Sequence, residues 1–352
     1  MDADPQTARQ TLMKPMPQVV SMTAAGRDAP AKPAAKRRRG WCSEPAGEAA
    51  VRLAHRYLDA AAESAGRMMV GNDPEALHDF RVALRRLRSV LRTFRSCLGK
   101  LPKKLRRLLK RVVRATGTGR DAEVFLGWLD AQSSLPAAEH AASEWLHNQL
   151  VTMRDEAYEN LRAQVLTDFA DLAQQLRREL TARRSQASYG EVMAEHVHDQ
   201  SAKLAADLAR IRSAADTEFV HDARIQGKRL RYLIEPVSPR LPGARNAVKR
   251  LKAFQDETGA LCDGFVRRRL LARQAEMAGA EQTRAAIESV RAEQMKIPML
   301  NDVVPGLLRL AQRSERQVDR EFQRFRRRYL DERTRRLIEP FSRLGHRLAG
   351  TR

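Results

Sequence analysis

Aromatic side chains make up only 5% of this 352-residue chain. It is therefore poor in the flat rings on which single-strand nucleic-acid binders stack bases. The three cysteines, Cys42, Cys97 and Cys262, form no spaced pattern. An odd count argues against a disulfide framework and fits a reducing cytoplasm. No apolar run approaches the ~18 residues of a membrane span. The first residues carry Asp2 and Asp4 and no hydrophobic segment, so no secretory leader is expected. Strand-like alternation is absent throughout. H-E-x-x-H, a cysteine pair and a ring of carboxylates are also missing, which removes the usual metal and catalytic signatures. His196 and His198 stand two apart, which on a helix sets them about 200° apart. The reading expects no catalytic residue, no metal and no cofactor.

Acids are the other shortage. Against 65 Lys and Arg stand 43 Asp and Glu, a net charge of +22. Self-repulsion at that level disfavours compaction, so a polyanionic partner is the natural inference, with a merely soluble basic protein as the bland alternative. The dominance of Ala, Leu, Arg and Glu is a helical composition.

One stretch recurs. Glu75–Arg92 reads EALHDFRVALRRLRSVLR and Glu218–Glu235 reads EFVHDARIQGKRLRYLIE. His78 aligns with His221, Arg81 with Arg224, Arg85 with Lys228, Arg86 with Arg229 and Arg88 with Arg231, all at one offset. This is an internal repeat. Placed on a helix at about 100° per residue, His78, Arg81, Arg85, Arg88 and Arg92 fall within an arc of roughly 80°. Phe80, Leu84, Leu87 and Leu91 fill a separate arc. The second copy repeats the pattern with His221, Arg224, Lys228 and Arg231, and Glu235 replaces Arg92, the one sign reversal on that face. A lone histidine at such a position is ordinarily a satisfied polar group at a helix start. Two at equivalent positions, each heading a cationic stripe, point toward a ligand role as neutral donors among arginines.

The rest of the chain follows from punctuation and period. Residues 1–44 hold five prolines before position 40 and end in Lys36-Arg37-Arg38-Arg39-Gly40, a disordered basic arm to which no job is assigned. Helices are expected over 48–69, 75–92 and 103–116. In the last of these Lys103, Arg107, Lys110 and Arg114 share four-three-four spacing. From Glu75 through Arg114 there are 14 Lys/Arg against two acids, whereas a solvated face usually mixes signs. Thr116–Asp121 (TGTGRD) lacks the lysine and serine of a phosphate-cradling loop. It reads as helix-ending punctuation, with Asp121 capping or pairing with arginine. Helices over 123–130 and 137–184 follow, with a break near 166–168. Helix 191–215 then leads to the second signature. Arg245, Lys249 and Lys252 repeat the spacing of Lys103, Arg107 and Lys110. A final region sets Arg309, Arg313, Arg316, Arg320, Arg324 and Arg327 at helical spacing, with ligand contact and intrahelical pairing equally compatible.

H-x-x-R-V-x-x-R-R-L-R-S in one half and H-x-x-R-I-x-x-K-R-L-R-Y in the other resemble the two signatures of the CHAD (conserved histidine α-helical domain) family. Thr116–Asp121 resembles the family's L-G-x-x-R-D, with threonine in place of leucine. Leu251–Gly259 resembles its L-K-x-x-Q-D-x-x-G, with Asp263 closing it. The E-x-E-x-K of a fused triphosphate-tunnel domain is missing. The resemblance spans nearly everything after the first ~45 residues, an expected domain over 45–347 with halves 45–185 and 186–347. It implies an all-α fold of two four-helix bundles related by a pseudo-two-fold axis around a basic central channel.

It also implies the ligand, inorganic polyphosphate, bound without catalysis, and an association of some members with polyphosphate granules in the cytoplasm. Composition alone reaches only "polyanion". The expected contacts are His78, Arg81, Arg85, Arg88, Arg92, Arg107, Lys110, Arg114, His221, Arg224, Lys228, Arg231, Lys249 and Lys252. Arg supplies a bidentate fork for phosphate oxygens and Lys a compact charge. Nucleic acid is the second choice of ligand, and a basic adaptor for an acidic protein or anionic membrane the third reading.

Overall fold

The computed structural model describes residues 42–350 apart from 72, 74, 133, 134, 185 and 292–302. The basic arm expected over 1–44 lies almost wholly outside the described residues. Eleven α-helices occupy the described chain: α1 (Ala46–Val70), α2 (Ala76–Thr93), α3 (Lys103–Ala115), α4 (Gly117–Asp130), α5 (Ala137–Asn160), α6 (Leu166–Glu179), α7 (Tyr189–Arg210), α8 (Thr217–Ile234), α9 (Ala244–Arg291), α10 (Val303–Tyr329) and α11 (Arg333–Gly350). A π-turn, Leu161–Val165, joins α5 to α6, and a 3-10 turn, Glu235–Val237, follows α8. Extended pairing among the described residues is limited to two isolated bridges, Pro45 with Ser188 and Leu98 with Ala182. The protein is all-α.

Local chemistry sets the ends. Gly71 closes α1 with φ 101°, a left-handed cap that glycine adopts without penalty. Ser188 opens α7 in a capping box, its hydroxyl accepting from the Glu191 amide at 3.2 Å while the Glu191 carboxylate accepts from the Ser188 amide at 2.9 Å. Along α1 the buried face is Ala46, Ala50, Ala54, Leu58, Ala61 and Ala65, small enough for α2 to pack closely on it.

Helix pairs repeat between the halves. α1 packs on α2 as α7 packs on α8, α6 closes the first group on α1 and α3, and α11 closes the second on α7 and α9. One continuous core runs through both groups, from Leu58, Phe80 and Phe169 to Leu230, Phe254 and Phe341. A smaller core joins Phe125 and Trp128 of α4, Leu146 and Leu150 of α5, Leu271 of α9 and Leu307 of α10.

Two sequence expectations need correction. The stretch Thr116–Asp121 is not a loop. Thr116 alone separates α3 from α4, and Gly117 to Asp121 are the first turns of α4. Thr116 is 1% exposed and its hydroxyl donates to Val113 O at 2.8 Å, so the bend is made inside the helix–helix junction. In the second half the equivalent stretch does not interrupt the helix, and α9 runs through it as one element of 48 residues, about 72 Å along its axis. The break expected at 166–168 is instead the π-turn at Leu161–Val165. Its wider turn rotates the apolar face, so α5 feeds the smaller core while Phe169, Leu172 and Leu176 of α6 feed the main one.

A close helix crossing lies at Gly227 of α8. A Cβ there would lie 2.7 Å from the Phe254 ring, itself 0% exposed and wedged against Phe325 and Tyr329. Alanine in place of glycine stabilises a helix by about 1 kcal/mol, but forcing a methyl into a packed core costs about 1–3 kcal/mol. Gly227→Ala should therefore lower unfolding free energy, by up to about 2 kcal/mol in a urea titration. A variant as stable as the parent would mean that the ring yields and the contact does not set the helix spacing.

Candidate anion-binding site

The cationic faces of α2 and α8 meet. Their apolar residues, Phe80, Leu84 and Leu87 on one and Ala223, Leu230 and Leu233 on the other, are buried in the main core, which turns the charged faces outward from it and toward each other where the helices pack. Together with the start of α4 and the middle of α9 they enclose a cavity of about 650 Å³. Its wall holds His78 and His221, Arg81 and Arg224, Arg85 and Lys228, Asp121 and Asp263, and Val124 and Val266, every pair being repeat equivalents. Arg120 and Arg269 add two further cations.

The equivalents are not used identically. Arg81 donates through Nη1 to the Thr116 carbonyl and, at 2.9 Å, to the Thr116 hydroxyl. It thereby ties α2 to the bend between α3 and α4. Among the described residues Arg224 has no such bond, while the Nε of both arginines is buried without a partner. Arg120 pairs with Glu123 at 2.9 Å. Crowding of like charge shows in the ionisation of the wall. Burial, then Arg224 and Arg85, push the Lys228 ammonium down to about 7, with Cys262 and Asp263 opposing. Burial, then Arg224, lowers His221. Burial pushes the Asp121 and Asp263 carboxyls up despite the arginines around them, and Asp263 adds to the rise at Asp121. Burial also drives the Cys262 thiol up to about 11, which leaves it a poor nucleophile.

Of the expected contacts, the cavity brings together His78, Arg81, Arg85, His221, Arg224 and Lys228. The others lie elsewhere. Arg107, Lys110 and Arg114 are exposed on α3, and Lys249 and Lys252 are exposed on α9. Arg231 is held by Glu235 at 3.3 Å and lies 5.0 Å from the centre of the Tyr232 ring. Arg88 and Arg92 sit farther along α2, outside the cavity wall. On α10, Arg313 pairs with the buried Glu139 at 2.9 Å, an ordinary structural use. Absent from the expected contacts but present in the wall are Arg120, Arg269 and four carboxylates, Asp121, Glu218, Asp222 and Asp263. Thr116–Asp121 and Thr258–Asp263 carry the signal for Asp121 and Asp263, since TGTGRD and TGALCD align threonine, glycine and aspartate. Read as punctuation, the two stretches conceal that their aspartates face one space.

Such a cavity has the chemistry to receive an anion, with cations held on packed helices around a polar space. Among the described residues no group of three or more His, Cys, Asp or Glu is placed to hold a metal ion. No described helix is long and apolar enough to cross a membrane.

Residues 52–272 match the CHAD domain, and the chain belongs to that family. Two solved structures share its fold. The CHAD domain from the plant Ricinus communis is 23% identical with a TM-score of 0.57, the match covering 76% of this chain and 92% of that one. PptA from Streptomyces chartreusis is 18% identical with a TM-score of 0.54, over 81% and 99% of the two chains. No curated protein matches the chain.

The depressed Lys228 makes anion affinity depend on pH. Lys228 is charged below about 7 and neutral above it, so tripolyphosphate affinity should fall as pH rises from 6 to 8.5. The loss of one charged hydrogen bond corresponds to roughly tenfold. Lys228→Arg, which stays protonated, should flatten that fall, leaving the smaller contributions of His221, Asp121 and Asp263. Titration of the ligand itself is common to both proteins and cancels. Identical pH slopes in the two proteins would remove Lys228 from the site.

Proposed function

We propose that this protein binds inorganic polyphosphate, without catalysis, in the cavity between α2 and α8. The observation that carries the reading is the doubled wall, in which each signature helix contributes the same cations to one space. On this reading the domain spans 45–347, and its halves are two four-helix bundles related by a pseudo-two-fold axis that passes between Arg85 and Lys228. The cavity is the middle of a basic channel. A polymer of identical phosphates suits such a wall because either half meets the same chemistry. Polyphosphate is also the ligand implied by the resemblance of both signatures to the CHAD family, and attachment to cytoplasmic polyphosphate granules follows as the cellular role.

Nucleic acid fits less well. Phe265, the aromatic side chain in the cavity wall, is 7% exposed, so the wall offers no platform on which bases stack. A stripe of phosphate contacts alone gives affinity and salt dependence but no base readout. The exposed stripes on α3 and α9, with Arg107, Lys110, Arg114, Lys249 and Lys252, would then add long-range attraction rather than fixed contacts.

The test is a competition titration at near-physiological salt, with long-chain polyphosphate against single- and double-stranded nucleic acid. Polyphosphate is expected to win by about two decades, ~2.7 kcal/mol. Equal affinities would reduce the cavity to a generic polyanion surface. For site assignment, Arg85→Ala with Arg224→Ala is the better pair, because neither side chain donates a hydrogen bond comparable to that from Arg81 to Thr116. Affinity for polyphosphate should fall by about 100-fold, from two charged contacts of ~1.5 kcal/mol or more each, with helix content unchanged by circular dichroism. Wild-type affinity in that double variant would place the ligand elsewhere.

A further inference from the structure

Glu235 marks the point where the two copies part in sign. Its carboxylate takes Arg86 of α2 at 2.9 Å and Arg231 of α8 at 3.3 Å. The offset that carries His78 to His221 also carries Arg86 to Arg229, Arg88 to Arg231 and Arg92 to Glu235. At the equivalent junction, Arg229 of α8 therefore faces Arg88 and Arg92 of α2, and an arginine stands where the other side has its carboxylate. The proximity is felt by Arg88 and Arg92. Burial, then Arg229 and Arg88, push Arg92 down to about 10, and burial, then Arg229, lowers Arg88.

None of the three finds an anion of its own. Neither Arg88 nor Arg92 makes an ion pair or side-chain hydrogen bond with a described residue. Arg229 donates from Nη1 to the neutral Gln226 side chain at 3.1 Å, and its Nε is buried without a partner. Asp207 of α7 is the acid whose field reaches Arg229, yet its ion pair is with Arg210, at 4.0 Å. Three guanidinium groups are thus held by two packed helices around the place of a missing carboxylate. A free phosphate group has the charge and the oxygen fork to fill it.

We propose that Arg88, Arg92 and Arg229 form a phosphate subsite outside the central cavity, so that a phosphate chain leaves the cavity on the Arg92 side and not on the Glu235 side. The direction of the chain rests on the polyphosphate reading; the subsite requires only a phosphate group. Arg81 and Arg92 are about 16 Å apart along α2, so a single phosphate cannot occupy both places while a polymer can. The pseudo-symmetric receptor is one-sided.

The experiment is Arg92→Glu, which builds on this side the carboxylate that the other side already has. Its melting temperature should equal or exceed that of the parent, because Glu at 92 can take Arg229 as Glu235 takes Arg86. Its affinity for long-chain polyphosphate should fall at least tenfold. Arg178→Glu, an equal charge reversal at an exposed position of α6, should lose less than threefold. Equal losses in the two variants would mean that only the overall field was changed, and would overturn the subsite. Arg92→Gln, expected to lose about threefold or more, serves in its place if the Glu variant melts early. Should the wild-type protein not bind polyphosphate, the polyphosphate reading fails, and the subsite is then judged with tripolyphosphate. A melting-temperature rise in the wild type that Arg92→Glu lacks retains it. The same rise in both, or none in either, removes it.

Discussion

Like charge crowded between two packed helices is the constraint on which this structure depends. The apolar faces of α2 and α8 belong to one core, and burying them leaves the cationic faces opposed. Each guanidinium or ammonium withdrawn from water there carries a desolvation cost in addition to its repulsion by the others. The protein offsets that cost locally. Arg81 is tied to the Thr116 carbonyl, Arg86 and Arg231 share Glu235, and Asp121 and Asp263 stand opposite the arginines. Lys228 sheds its proton near neutral pH. What remains is a cavity in which charge is held ready rather than cancelled.

The halves differ both in the core and in how charge is handled. Leu84 and Leu87 of the first signature correspond to Gly227 and Leu230 of the second, and the glycine is what lets Phe254 approach α8. α3 and α4 bend at Thr116, while α9 passes uninterrupted through the equivalent Thr258, whose hydroxyl donates to Phe254 O at 2.8 Å within the same helix. The bend gives Arg81 a carbonyl to hold. The uninterrupted helix gives Arg224 none, which leaves that arginine available to a ligand. Duplication set two equal cationic faces against each other, and small departures decided which of them stay occupied.

The helical period and the constant offset between copies made α2, α8 and their charged stripes legible in the sequence, since an apolar arc opposite a cationic one has a single way to pack. The extent of the site was not legible from the same pattern. A stripe from His78 to Arg92 is about 21 Å long, but two crossing helices enclose space only near their crossing, so the cavity takes His78, Arg81 and Arg85 and leaves Arg88 and Arg92 outside. Gly117 and Gly119 suggested a loop by composition. Gly119 is instead a contact point inside α4, where an added Cβ would lie 3.4 Å from Ala157 and 3.6 Å from Leu77. Glycine serves close packing as readily as it serves turns, and only tertiary neighbours tell the two apart. The π-turn at Leu161–Val165 has no local marker either, because it settles which of two cores each flank serves.

A cavity that suppresses its own charge resolves an apparent conflict between folding and binding. Were Lys228 fully protonated and Asp121 and Asp263 fully ionised, the empty site would hold every charge it needs at the highest cost in desolvation. Instead burial shifts each of the three groups toward its neutral form. On the proposed function, an arriving phosphate would reverse the balance for the ammonium, whose charged form would gain a partner. The same phosphate favours protonation of the carboxyls, whose ionised forms would repel it. Both changes take up protons, so binding and protonation act in the same direction. Burial thus lowers the charge that Lys228 carries in the free protein, and an anion bound beside it would favour the return of that charge.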